Sequence, residues 1–223
     1  MNIDLTPAAA EAFEKYYNLL LEWNAKFNLT AITSQKDVCD KHFTDSVLCS
    51  KYIPENSDLL DIGAGAGFPS VPLKIIRPDL KITMLDSVNK KVMFLKEVIS
   101  VLGLKDAKAL HSRCEDYARG PARDSFDVVT GRAVARLNTL CEYSLPLVRP
   151  GGLFISYKSE NIEEELLEAE KAISLLKGRL VKTVKAVLPG SSIVRTFVII
   201  EKTDRTPSLY PRGKGKERSN PIV

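Results

Sequence analysis

Cysteine and histidine are scarce in this 223-residue chain, and the few present are scattered. Cys39, Cys49, Cys114 and Cys141 form no C-x-x-C pair, and only His42 and His111 exist to complete a metal cluster, so a structural zinc site is poorly supported and no metal is expected. The four thiols read instead as buried free cysteines, each a small core hydrophobe. Long apolar runs are missing too. No stretch approaches the roughly 20 residues that cross a bilayer, and the opening Met1-Asn2-Ile3-Asp4-Leu5-Thr6-Pro7 lacks the basic and apolar regions of a signal peptide. The expected compartment is the cytoplasm, with no membrane partner. Net charge is only +4, but its distribution is uneven. From Lys202 to Arg218 six basic residues stand against two acidic ones, Asp204 and Glu217. Such an end suits either a polyanionic partner or a solvated, solubilising tail.

What is present is an ordinary globular composition, 44% hydrophobic, on a chain long enough to bury a core without staples. Thr6 suits a helix cap and Pro7 the first helical position. Phe13, Tyr16, Tyr17, Leu20, Trp23 and Phe27 then recur at steps of three and four, which predicts an amphipathic helix fading near Asn28-Leu29-Thr30. A second helical segment is predicted between Gln35 and Tyr52. After that the period changes. Strands over 58–62, 81–85, 107–110, 126–130 and 153–157 alternate with helices over 69–76, 89–102, 137–145 and 162–176, and strands over 180–187 and 196–201 finish the pattern. Alternation of this kind implies an α/β fold with a mostly parallel, three-layer sheet. Only residues 189–195 are left between the last two strands, too short for a parallel crossover, so one strand near the edge runs antiparallel.

The strongest local signal is Leu60-Asp61-Ile62-Gly63-Ala64-Gly65-Ala66-Gly67-Phe68-Pro69. Glycines at alternate positions leave a strand and enter a helix, so a ligand can lie against the main chain there. The dinucleotide fingerprint is G-x-G-x-x-G, with a pyrophosphate on the helix N-terminus. Here the spacing is G-x-G-x-G, which suits a ligand without a pyrophosphate, such as a nucleoside bearing an amino-acid tail. A tight turn with no ligand is the bland alternative. Asp61, just before Gly63, offers a carboxylate to a cationic amine or to loop water. Asp86 closes the second strand nineteen residues after Gly67, where an acid can accept hydrogen bonds from both ribose hydroxyls or cap the next helix. Glu115 follows the third strand and suits an adenine pocket. Arg132 follows the fourth, at the carboxyl edge where open α/β sheets bind ligands.

These features point to S-adenosylmethionine as cofactor, with S-adenosylhomocysteine as product, on a Rossmann-like methyltransferase core. Transfer to carbon five of a pyrimidine uses a Pro-Cys pair after the fourth strand, where this chain has Thr130-Gly131-Arg132. The Asn/Asp-Pro-Pro-aromatic loop of adenine amino-methylation is absent as well. An acceptor with its own lone pair remains, and it needs positioning more than a base. No catalytic residue stands out; His42 and His111 qualify by residue type alone, and no cysteine is expected to act as nucleophile.

Trp23-Asn24-Ala25-Lys26-Phe27-Asn28-Leu29-Thr30, His42-Phe43-Thr44-Asp45-Ser46, the run from Asp61 to Pro72, Leu85-Asp86-Ser87, Ser112-Arg113-Cys114-Glu115, Gly131-Arg132-Ala133 and Tyr157-Lys158 carry a more specific signal. With them the chain resembles the ribosomal RNA small-subunit methyltransferase G family, also called glucose-inhibited division protein B. Thr206-Pro207-Ser208-Leu209-Tyr210-Pro211-Arg212 is similar to that family's longer C-terminal form. The resemblance implies methylation of N7 of one guanosine in small-subunit ribosomal RNA, on free RNA or a ribosomal particle, by a monomer. It implies cofactor contacts at Gly63, Phe68, Cys114, Glu115 and Arg132, to which the residue reading adds Gly65 and Asp86. Ala66 departs from the family's frequent proline, a change in loop stiffness rather than chemistry. The implied organisation is a helical segment over 1–54, the S-adenosylmethionine-binding core over 55–203 and a basic tail over 204–223 that serves RNA more than cofactor, within one globular domain. Competing readings are a methyltransferase of the same fold acting on a protein or small molecule, a more distant nicotinamide enzyme, and a non-catalytic RNA-binding module with a vestigial pocket.

Overall fold

The computed structural model describes residues 5–223; residues 1–4, part of the signal-peptide reading, lie outside them. Helix α1 (Pro7–Phe27) starts where expected, with Thr6 Oγ1 accepting from Ala9 N at 3.2 Å, and ends on Asn28 in the left-handed region. The predicted helix over 35–52 is broken into short pieces. They are α2 (Gln35–Val38), a π-helical turn (Cys39–Thr44), α3 (Asp45–Val47) and a 3₁₀ turn (Ser50–Tyr52). A π-turn re-aims side chains within and just after it; here it buries His42 and Phe43, and Asp45 follows directly.

The core follows as β1 (Asp58–Ile62), α4 (Ser70–Ile76), β2 (Lys81–Asp86), α5 (Asn89–Leu102), β3 (Ala107–His111), α6 (Cys114–Tyr117), β4 (Phe126–Arg132), α7 (Leu137–Ser144), β5 (Val148–Lys158), α8 (Glu163–Leu175), β6 (Gly178–Val187), β7 (Val194–Lys202) and α9 (Lys216–Ser219). The seven strands lie in the order β3-β2-β1-β4-β5-β7-β6. Strands β1 to β5 pair in parallel, while β7 runs antiparallel to both β5 and β6. One apolar layer, with α1, α4 and α5, covers one face around Leu59, Ile82 and Phe94. A second, with α7 and α8, covers the other around Leu60, Val129 and Phe154. Burial on both faces is why the parallel strands read as unbroken apolar runs.

The strand order reverses between the parallel neighbours β1 and β4, and the carboxyl ends on either side of such a switch point form the usual ligand crevice. The glycine loop leaves β1 there. Gly67 has φ +94°, and a Cβ on it would come within 2.8 Å of the Tyr16 hydroxyl and 2.6 Å of a Val71 methyl. Glycine at this position lets α1 close directly onto the loop, where the Tyr16 hydroxyl donates to the Ala66 carbonyl.

Candidate cofactor and acceptor site

Asp86 is buried at the end of β2 and works on the loop itself. Its Oδ2 accepts from Gly65 N at 2.9 Å and its Oδ1 from Val88 N at 2.8 Å. It is therefore not the cap of α5, whose N-cap is Val88. Each oxygen keeps a lone pair free. A cavity of about 290 Å³ opens beside it, lined among others by Gly63, Asp86, Cys114, Glu115, Val134 and Arg218. Four residues singled out in the sequence thus share one cavity, near the lower end of the usual range for small-molecule sites. Gly65 joins them through its hydrogen bond to Asp86.

Phe68 and Arg132 stand elsewhere. Arg132 lines a second cavity of about 330 Å³ with Asp45, Ala133, Tyr157, Lys158, Ser159 and Arg195. Arg132 and Ala133 line this second space, and Val134, next in the chain, lines the first. Phe68 stacks on His42 at 4.3 Å between ring centroids, and the Arg132 guanidinium lies 5.8 Å from the Phe68 ring centre. Asp45, 1% exposed at its side chain, pairs with Arg132 at 3.0 Å and with Arg195 at 3.0 Å. Burial raises the Asp45 carboxyl above its ordinary range, and the two guanidiniums pull it back. No local motif announces this arrangement, because its members come from residues 42–45, 132 and 195.

His42 is not a free base. His42 Nδ1 lies 3.2 Å from both the Arg132 guanidinium and the Lys41 carbonyl, and that carbonyl also accepts from Arg132 Nη2 at 2.8 Å. Nε2 lies 2.9 Å from Thr30 Oγ1, so both ring nitrogens are engaged. Burial, then the Arg132 charge, push the imidazole down to about 4. His111 is occupied as well, with Nε2 3.0 Å from the Ser87 carbonyl.

Two sequence expectations change. Asp61 does not face a ligand: fully buried, it accepts from Ser70 Oγ at 2.7 Å and Thr130 Oγ1 at 3.0 Å, beneath the glycine loop. The Thr130 bond follows from register, since Asp61 is paired with Thr130 across β1 and β4. Burial pushes its carboxyl up to about 7, against the pull of the two hydroxyls. Among the thiols, Cys49 and Cys141 are buried and Cys114 is half-buried, but Cys39 is exposed. It sits on the π-turn, which sends His42 and Phe43 inward and leaves Cys39 outside. Burial raises all four thiols, Cys49 and Cys114 up to about 12, which opposes the thiolate that nucleophilic attack requires. Sequence reasoning missed Val134, Tyr143, Gly215 and Arg218 in the first cavity.

The family model described as rRNA small subunit methyltransferase G matches residues 9–194. The Ribosomal RNA small subunit methyltransferase G of Desulforamulus reducens is 49% identical over 226 residues, covering 100% of this chain and 94% of that one. Its counterpart in Staphylococcus epidermidis is 48% identical over 223 residues, covering 99% and 93%. Among solved structures, a SAM-dependent methyltransferase from Aquifex aeolicus shares the fold at a TM-score of 0.54 and 19% identity, over 73% of this chain and 92% of that one. No helix of the described residues is long and apolar enough to cross a membrane. With matches of this identity running essentially from end to end, the chain belongs to the rRNA small subunit methyltransferase G family.

Proposed function

We propose that the protein transfers a methyl group from S-adenosylmethionine to N7 of a guanosine in small-subunit ribosomal RNA, in the cytoplasm and as a monomer. Membership of the family over nearly the whole length carries this reading. The cofactor suits the cavity at Asp86. A carboxylate already oriented by two backbone N–H groups has acceptor capacity left for vicinal ribose hydroxyls. Gly63 lets Val134 close against the loop as part of the cavity wall, since a Cβ there would meet a Val134 methyl at 2.8 Å. Cys114 and Glu115 line the adenine end, and Gly63, Gly65, Phe68 and Arg132 serve the amino-acid end. When bound, the cofactor supplies an electrophilic sulfonium methyl.

The acceptor guanosine then approaches by the second cavity, where Arg132 and Arg195 are held by Asp45. Guanine N7 carries its own lone pair, so this chain's task is orientation and exclusion of water rather than proton removal. That agrees with a His42 that is neutral, buried and engaged on both nitrogens. Alignment alone is worth up to about 7–11 kcal/mol of a barrier. The substrate, as we read it, is naked RNA or a ribosomal particle. To test the proposal, small subunits and naked RNA from a strain lacking this gene are incubated with methyl-labelled cofactor, and the labelled base is mapped. Label on one guanine N7 is the expected result; label confined to protein, or none on RNA, would sink the proposal.

A further inference from the structure

The C-terminal segment is docked, not solvated. Of the six basic residues counted from Lys202 to Arg218, Lys202 is fully buried and donates to Asp124 Oδ1 at 3.0 Å. Arg212 Nη2 pairs with Glu142 Oε2 at 2.8 Å, and Glu142 Oε1 accepts from both Arg212 N (2.8 Å) and Nε (3.0 Å). Glu142, on α7, is 1% exposed at its side chain. Two arginines of the core clamp the segment's backbone. Arg123 donates to the Thr206 and Tyr210 carbonyls at 2.7 and 2.8 Å, and Arg119 donates to the Pro211 carbonyl at 2.8 Å. Farther on, Thr139 Oγ1 donates to the Glu217 carbonyl at 2.8 Å.

This docking delivers Gly215 and Arg218 to the rim of the cavity that holds Asp86 and Glu115. Arg218 Nη2 donates to the Val134 carbonyl at 3.2 Å, beside the methyl that faces Gly63. We propose that Arg218, presented by the docked segment 204–223, is a cofactor-positioning residue. It forms a wall over the adenosine half of the site, so that segment docking and cofactor binding reinforce each other. The inference rests on the reading of that cavity as the S-adenosylmethionine site. A guanidinium is suited to the role because it can stack its plane on an adenine while its edge keeps the Val134 carbonyl. Coupling of this kind is reciprocal: what tightens the cofactor must also protect the segment.

The test uses the full-length protein and S-adenosylhomocysteine. Calorimetry is run on the unaltered chain and on Arg218→Ala, Gly213→Ala and Asp86→Ala, and tryptic cleavage within residues 205–218 is timed with and without ligand. Arg218 is exposed, so Arg218→Ala should unfold at the unaltered temperature without ligand, bind at least tenfold more weakly and show a smaller ligand-induced rise. Gly213 has φ +72°, and a Cβ there would run into the Arg119 guanidinium. Gly213→Ala should therefore loosen the segment and the ligand together. Ligand should slow cleavage of the unaltered chain but not of Asp86→Ala. If Arg218→Ala and Gly213→Ala keep full affinity while Asp86→Ala loses it, the inference is overturned and the cofactor reading stands. If Asp86→Ala also binds as before, the cofactor reading itself is wrong.

Discussion

The two ends of this chain both dock beside the glycine loop, and they do so by opposite physics. Helix α1 uses aromatic burial. Tyr16 is fully buried, with ring centroids 5.3 Å from Phe43 and 5.6 Å from Phe68, and its one polar atom bonds the loop. The C-terminal segment uses charge and carbonyls: Arg212 on Glu142, and Arg119 and Arg123 on backbone oxygens. Apolar burial is non-directional and belongs to the global core. A buried ion pair adds little net stability while intact, but losing one partner is costly. The difference teaches that the first end should be part of cooperative folding and the second a detachable element.

The sharpest way to break that comparison is at Tyr16. Tyr16→Ala should remove about 3–5 kcal/mol of global stability by leaving a core cavity, read as a lower urea midpoint. A loss under about 1 kcal/mol would mean that α1 is no more integral than the tail. Next comes Arg212→Ala, which strands Glu142 and costs about 2–5 kcal/mol of docking free energy. The segment can swing away and let water reach Glu142, so trypsin should cut residues 205–218 faster while the urea midpoint moves little. An equal drop in the midpoint would make the tail part of the cooperative unit.

Asp61 probes the ground between the two ends. Its folded carboxyl sits at about 7 against an ordinary value of 3.8. Such a group favours the folded state most below pH 4, and that contribution is lost as pH rises through 7. Asp61→Asn keeps an acceptor for one hydroxyl and has no charge to bury. Its stability relative to the unaltered chain should therefore grow between pH 5 and pH 8 and level off above. A difference that does not vary with pH would remove Asp61 as the titrating group. The smallest effect concerns the tail's outer face, where Lys214 and Lys216 remain exposed. If they meet phosphate, replacing both with alanine should reduce the salt slope of log RNA affinity by roughly 0.7–0.9 for each lysine that neutralises a phosphate. Cofactor affinity should be unchanged. Superimposed salt titrations would assign both lysines to solvent alone.

Much of the core was legible because its signals are local. Strand β1 runs straight into three alternating glycines, β2 ends in Asp86, and a βαβ unit brings that acid to the loop whatever the surroundings. The antiparallel β7 followed from a connection too short to cross the sheet. The region 35–52 was less legible, because a π-turn costs only one residue of register and helical periodicity survives it. Arg132 could be tied to a strand end from its place in the chain, but not to a cavity. Its partner Asp45 also binds Arg195, 150 positions away, and no spacing rule reaches that far.

The basic tail marks the boundary most clearly. The sheet, the glycine loop, the acid beside it and the family are all written in the sequence, in residues close together or in a pattern spread over the whole chain. Charge counting could say that 202–218 is basic, but not which charges meet water. Packing in three dimensions decided that Lys202 and Arg212 are spent on Asp124 and Glu142. It also brought Arg218 to the carbonyl of Val134, 84 positions back, at the rim of the Asp86 cavity. The reason is physical: a cation's role depends on the nearest carboxylate or carbonyl in space. For a tail that folds back over the core, that neighbour is chosen by the tertiary structure.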